Sequence, residues 1–158
     1  MKYNLNFKIN YDINYVLLGV RSKIEAYQFA YFLNKSSHFL FHRMKKDVSY
    51  IINKKKVYFT AFKDLNTEFK RTSFLIKNKT FFNSEAISSQ NLFDKNPIIN
   101  TAFLIPELKE FDYFIKLMGI WKKEEMLELK KFLQTIKDVE PETNIDLSRL
   151  KSINNLVF

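Results

Sequence analysis

Between Asn14 and Asn34 the sequence specifies a strand that feeds directly into a helix, and no other stretch is as tightly determined. Asn14–Val20 (NYVLLGV) is a compact apolar run bounded by polar residues, which predicts a buried strand. Ser22 and Glu25 then stand at capping-box spacing, where the serine side chain can accept from a free amide while the glutamate reaches back. Beyond them Ala26, Phe29, Ala30 and Leu33 recur at helical spacing, with Tyr27 and Tyr31 beside them, so a helix is expected to run to Asn34. Its two alanines would let it lie close against a sheet.

After this unit the apolar period changes from helical to two. Phe39 and Phe41 alternate with His38, Leu40 and His42, which predicts a strand. Tyr50–Ile52 and Val57–Phe62 flank Asn53-Lys54-Lys55-Lys56 and read as a hairpin with a charged turn. Ser73–Lys77 predicts another short strand. Residues 83–100 are rich in Asn, Ser and Asp, contain Pro97 and read as a flexible loop, with Ile87, Leu92 and Phe93 as anchors. Phe111–Leu117 alternates again, placing Phe111, Tyr113, Ile115 and Leu117 on one side and Asp112, Phe114 and Lys116 on the other. Pro106, which lacks an amide donor, is expected at a strand edge, bulge or bend. A second helix is predicted over Lys122–Lys137, with Met126, Leu129, Leu133 and Ile136 as its apolar stripe. Val139–Ile145 is expected to be a last strand interrupted by Pro141, and the apolar tail LKSINNLVF to tuck back onto the body.

This order, strand–helix, a run of strands, then strand–helix–strand, implies an α+β fold: a mainly antiparallel sheet with two principal helices packed on it. At 158 residues, 46% of them apolar and 17 of them Phe, a single domain over 1–158 with its own core is expected, and disorder is excluded. No apolar segment of signal-peptide character opens the chain and no long apolar run could span a membrane, so a cytoplasmic protein is expected.

Several chemistries are excluded residue by residue. Without cysteine there is no disulfide framework, thiolate metal site or catalytic thiol. With Gly19 and Gly119 as the only glycines, no Gly-rich phosphate loop exists, and no nucleophile-elbow motif occurs. His38 and His42 are the only histidines, and on a helix they would share a face and could hold a metal. The alternation favours a strand, where their Cα atoms would lie about 13 Å apart, and no carboxylate lies close in sequence to complete a ligand set. Glu107, Glu110 and Asp112 form one compact acidic cluster, for which charge pairing with Lys109 and Lys116 is the ordinary reading and acid–base catalysis the sharper one. No cofactor or metal is implied, and a non-catalytic protein is expected.

Charge points to a partner. Residues 1–80 carry 16 Lys/Arg against 5 Asp/Glu, whereas residues 81–158 carry 10 against 12. A basic N-terminal half fits an acidic partner, and Lys45, Lys46, Lys54, Lys55, Lys56, Lys70 and Arg71 are its candidate surface. Docking of an acidic protein is the leading expectation. RNA or ribosome association is the alternative, although only 4 of the 26 cations are Arg, the usual reader of phosphates and bases. An enzyme using carboxylates and tyrosine near residues 107–113 is the second alternative. Lysine use of this kind also arises from A/T-rich coding, which would scatter the charge over solvated faces. Nothing in the pattern assigns an oligomeric state.

The segment IPELKEFDYFIKLMG (105–119) resembles the signature of the bacterial IPExxxVDY family: Ile105, Pro106, Glu107, Asp112 and Tyr113 match, and Phe111 stands where the signature has Val. AYQFAYFLN (26–34) and the closing LKSINNLVF extend the similarity. The resemblance carries over no activity and no catalytic residues. Ile105, Phe111 and Tyr113 read as core, Pro106 as a bend, and Glu107 and Asp112 as partners for backbone amides or lysines.

Overall fold

Strand β1 (Tyr15–Val20) delivers the chain into helix α1 (Ala26–Asn34). In the computed structural model, which describes residues 14–36, 38–84 and 98–158, the helix is capped three residues later than the sequence suggests. Glu25, not Ser22, is the N-cap, and its amide donates to Gln28 Oε1 at 3.2 Å. Ser22 serves tertiary structure instead: its Oγ donates to the Asp138 carbonyl (2.8 Å) and accepts from the Ile24 amide (3.2 Å).

The remaining elements are β2 (His42–Arg43), β3 (Val48–Ile52), β4 (Lys55–Phe59), β5 (Ala61–Asn66), β6 (Arg71–Lys77), β7 (Lys79–Ser84), β8 (Ile98–Phe103), β9 (Tyr113–Met118), α2 (Lys123–Thr135) and β10 (Thr143–Asn144). Six strands form one antiparallel sheet in the order β10-β1-β9-β6-β5-β2, and the hairpins β3–β4 and β7–β8 form two small sheets. The fold is α+β, with both helices packed against a mainly antiparallel sheet.

Period-two alternation sorts the sheet's side chains onto two cores. Leu18 and Val20 of β1, Leu75 of β6, and Tyr113, Ile115 and Leu117 of β9 meet Phe29, Ala30 and Leu33 of α1 and Leu129 and Leu133 of α2. On the opposite face Leu17, Phe74, Ile76 and Phe114 meet Val48, Val57 and Phe59 of the β3–β4 hairpin, Ala102 of β8, and Leu156 near the C-terminus. Strand β9 is therefore covered on both faces, and the tail tucks in as its composition implies. Burying each such Leu or Phe contributes about 1.5–3 kcal/mol.

Phe111 joins the second core rather than sharing a face with Tyr113, because its ring lies flat on Gly19. A Cβ at position 19 would stand 2.8 Å from Phe111 Cγ and Cδ1. Gly19→Ala should therefore destabilise the fold by about 1–3 kcal/mol through overpacking, measured as a lower urea midpoint with unchanged slope; an unchanged midpoint would contradict this packing.

Other expectations are corrected. The stretch 57–62 is two strands, since the chain turns at Thr60 from β4 into β5, a strand absent from the sequence reading. The turn of the first hairpin is only Asn53-Lys54, both left-handed (φ 47° and 66°), and Lys55 and Lys56 already belong to β4. Two left-handed central residues suit the right-handed twist of a two-residue hairpin. Residues 38–41 are irregular rather than strand, leaving only His42–Arg43 as β2. Pro106 opens a 3-10 turn (Pro106–Leu108), where its missing donor is not needed. The Val139–Ile145 region contributes one isolated bridge, Ser22 to Val139, and the two-residue β10. Of the expected loop 83–100, positions 83–84 and 98–100 are strand; Ile87, Leu92, Phe93 and Pro97 lie outside the described residues, as do residues 1–13.

Candidate functional site

The residues of the 105–113 motif are each committed to the scaffold. Ile105 is fully buried and its amide donates to Asn78 Oδ1 at 2.9 Å. Asn78 is itself wholly buried, and its Nδ2 donates to the carbonyls of Leu108 and Phe111, both at 2.9 Å. Its backbone completes the set, with Asn78 N donating to the Asp112 carbonyl and Leu104 N to the Asn78 carbonyl. The loop 104–112 is thus wound around one asparagine. Sequence reasoning passed over Asn78, because a strand-ending Asn ordinarily signals an exposed turn.

Glu107 accepts from the amides of Lys151 and Ser152 (both 2.7 Å) and from Ser152 Oγ (2.8 Å), clamping the C-terminal tail. Burial alone would raise its carboxyl, but these hydrogen bonds outweigh burial and hold it below the usual range. Asp112 Oδ2 accepts from the Ser22 amide at 2.8 Å, and the Tyr113 hydroxyl donates to the Ile24 carbonyl. Burial, with the charges of Glu25 and Asp112, pushes the Tyr113 phenol well up. Asp112 and Tyr113 therefore both hold the link before α1, while Glu107 serves a different segment. Glu107 and Asp112 take backbone amides rather than the lysines beside them in sequence.

A second buried polar group is Lys116, 3% exposed on β9. Its Nζ donates to the Leu156 carbonyl at 2.6 Å and lies over the rings of Phe158 (4.4 Å), Tyr15 (4.6 Å) and Phe74 (5.5 Å). Burial pushes its amine down to about 8.

A groove of about 920 Å³ opens at the β2 end of the sheet, lined by residues 38–40, 42–46 and 63–68. Its first wall is shaped just after α1. Asn34 brackets Phe41, its Oδ1 accepting from the Phe41 amide (2.6 Å) and its Nδ2 donating to the Phe41 carbonyl (3.0 Å). Phe39 and Phe41 stack at 4.9 Å and turn into the core, which leaves Leu40 62% exposed. Across the groove Leu65 of β5 is equally exposed. Asp64 joins the walls by accepting from the Leu40 amide at 3.3 Å; burial raises its carboxyl against the opposing pull of that bond and of His42.

The groove's charges are unevenly compensated. Arg43 forms a bidentate pair with Asp47 and donates to the Ala61 carbonyl at 2.9 Å. His38 Nε2 stands 3.3 Å from Glu128 Oε2. Among the described residues no carboxylate pairs with Lys45, Lys46 or Lys63. Three lysines therefore border an apolar strip that includes Leu40 and Leu65, with Glu68 as an exposed lining carboxylate that pairs with none of them. Both histidines line the groove, yet among the described residues no group of three His, Asp or Glu side chains is placed to hold a metal ion.

Of the expected basic surface only Lys45 and Lys46 belong to this groove, where Lys63 joins them. Lys54, Lys55 and Lys56 sit at the β3–β4 tip, with Lys55 Nζ donating to the Asn83 carbonyl (3.1 Å) and Lys56 over the Tyr58 ring. Lys70 is the left-handed residue (φ 51°) of the β5–β6 turn. Arg71 is not a surface residue at all. It is 8% exposed, paired through both terminal nitrogens with Glu125 and stacked over Trp121 at 4.3 Å.

No family model, curated protein or solved structure matches this chain. No helix among the described residues is long and apolar enough to cross a membrane.

Proposed function

We propose that this chain is a non-catalytic, cytoplasmic binding domain that docks an acidic segment of a partner protein in the groove between residues 38–46 and 63–68. The observation that carries this reading is the set of three lysines, Lys45, Lys46 and Lys63, without carboxylate partners beside the exposed Leu40 and Leu65. Exposed ion pairs contribute only about 0–1 kcal/mol each. Charge therefore steers and orients the partner, while apolar contact with the leucines supplies most of the affinity. The partner segment is accordingly acidic and apolar in alternation. The 105–113 segment, which we read as IPExxxVDY-like, is scaffold in this account and performs no chemical step.

A fluorescein-labelled peptide alternating Glu and Leu is the direct probe. Its binding to the full chain, followed by anisotropy at low salt, should weaken at least about tenfold in Lys45→Glu/Lys46→Glu/Lys63→Glu, equivalent to about 1.4 kcal/mol. The matched triple Lys54→Glu/Lys55→Glu/Lys56→Glu should retain it. Equal losses in both triples would reduce the effect to net charge and refute the groove assignment. Preference for an RNA oligonucleotide, with a steep decline on adding salt, would favour ribonucleoprotein association instead.

A further inference from the structure

Resting on the reading of the groove as a binding site, we infer that the acidic segment enters it as an added β-strand, bonded to the backbone N–H and C=O of Leu65. The sheet's own register carries this inference. In an antiparallel ladder, residues that exchange bonds with one neighbour alternate with residues that face the other. The bond from Lys77 N to the Thr60 carbonyl (2.9 Å), in register with the β5–β6 pairing, fixes Phe62, Asp64 and Asn66 as the residues bonded to β6. Ala61, Lys63 and Leu65 then turn their backbone groups toward β2.

Two of those three are covered. Ala61 receives Met44 N at 3.1 Å, and Lys63 stands opposite His42. Extending the same register by two residues sets Leu40 opposite Leu65. There the walls part, because the Leu40 amide is held by Asp64 Oδ1 rather than by the Leu65 carbonyl. Among the described residues no backbone bond reaches the outward groups of Leu65. One residue of open sheet edge, next to Lys63, thus lies on the β5 wall of the groove, and an open edge pairs readily with an extended chain. Charge complementarity selects an acidic strand, and its alternate apolar side chains would lie against Leu40 and Leu65.

Amide hydrogen exchange on the full 15N-labelled chain tests this directly, with a seven-residue acetylated Glu/Leu peptide as probe. Saturating peptide should slow exchange at Leu65 at least about tenfold while leaving Lys63 N, already inside the ladder, nearly unchanged. The same peptide N-methylated at alternate residues keeps its charges and side chains but loses strand-edge donors, and should bind at least about tenfold more weakly. If both peptides bind equally and Leu65 exchange does not change, strand addition is wrong while the groove remains a binding site. If neither peptide binds at low salt, the groove reading itself fails. RNA binding that leaves the Leu65 amide exposed would also overturn the inference.

Discussion

Arg71→Ala should cost about 2–3 kcal/mol of folding stability, because it removes charge-assisted hydrogen bonds together with the packing of a buried guanidinium against a half-buried carboxylate. Arg71 donates from Nη1 and Nη2 to the two Glu125 oxygens (3.0 and 2.6 Å) and from Nε to the Ile120 carbonyl (2.8 Å). Glu125 Oε2 also accepts from the Lys122 amide at 2.8 Å, so the same carboxylate closes the first turn of α2. The pair therefore ties the start of α2 to β6, with the guanidinium packed over Trp121. Lysine cannot reproduce the planar fork, and Arg71→Lys should recover little of the loss. Hydrogen bonds from Arg71 and from the Lys122 amide hold the Glu125 carboxyl below its usual range. A depressed carboxylate adds stability above its unfolded value and loses it as pH falls through the folded one. The wild-type chain should accordingly lose this contribution below about pH 4.3, and the Arg71→Ala chain should show a flatter acid limb. Urea midpoints at neutral and acid pH measure both effects; full recovery by lysine would show that charge alone is needed.

Lys116→Met should do the reverse and stabilise the fold at pH 7 by about 1–3 kcal/mol, since well-packed apolar replacements of buried charge are often favourable. The Lys116 amine is lowered from 10.5 to about 8, a gap worth about 3 kcal/mol. Its hydrogen bond to the Leu156 carbonyl and its seat over the aromatic rings offset part of that cost. Below pH 8 the lysine is charged in both folded and unfolded chains, and folding bears the full penalty. As pH rises above 8 the folded chain releases its proton first, so stability should climb toward 10.5. Lys63 lies over the same Phe74 ring and keeps a second cation on that face. The Tyr15 and Tyr113 phenols, raised by burial, oppose the climb once pH nears 10, so the scan belongs between pH 7 and about 9.5. The wild type should gain stability over that range and Lys116→Met should not. Parallel profiles would mean that the amine is not buried as a cation.

The elements that could be read from the sequence are those whose burial is one-sided and local. The apolar stripes of α1 and α2 and the first hairpin follow from period alone. β5 did not, because AFKDLN carries Lys63 and Asp64 within a strand whose last apolar residue, Leu65, faces solvent. Lys116 sits where alternation assigns a polar side, yet that side is roofed by the tail, whose position no local pattern specifies. Arg71 shows the same limit: charge in a sequence says nothing of which cation the fold will bury. The groove was illegible for a related reason. Lys45 and Lys46 stood out as a pair, but Leu40, Lys63 and Leu65 become a site only when β5 lies beside β2.

The strand order also governs how the chain can assemble. Hairpins β3–β4, β5–β6 and β7–β8 join neighbours in sequence, whereas β1 lies between β9 and β10. The bond from Ser22 to Asp112 joins residues 90 positions apart. Closing so large a loop is repaid only after β9 has formed. The β1–α1 unit, although the most sharply written part of the chain, therefore completes its burial only with residues from the far end of the sequence, such as Tyr113, Ile115 and Leu129. Local clarity in the sequence and local completeness of the core are separate properties here, since the segment easiest to read depends most on contacts distant in the chain.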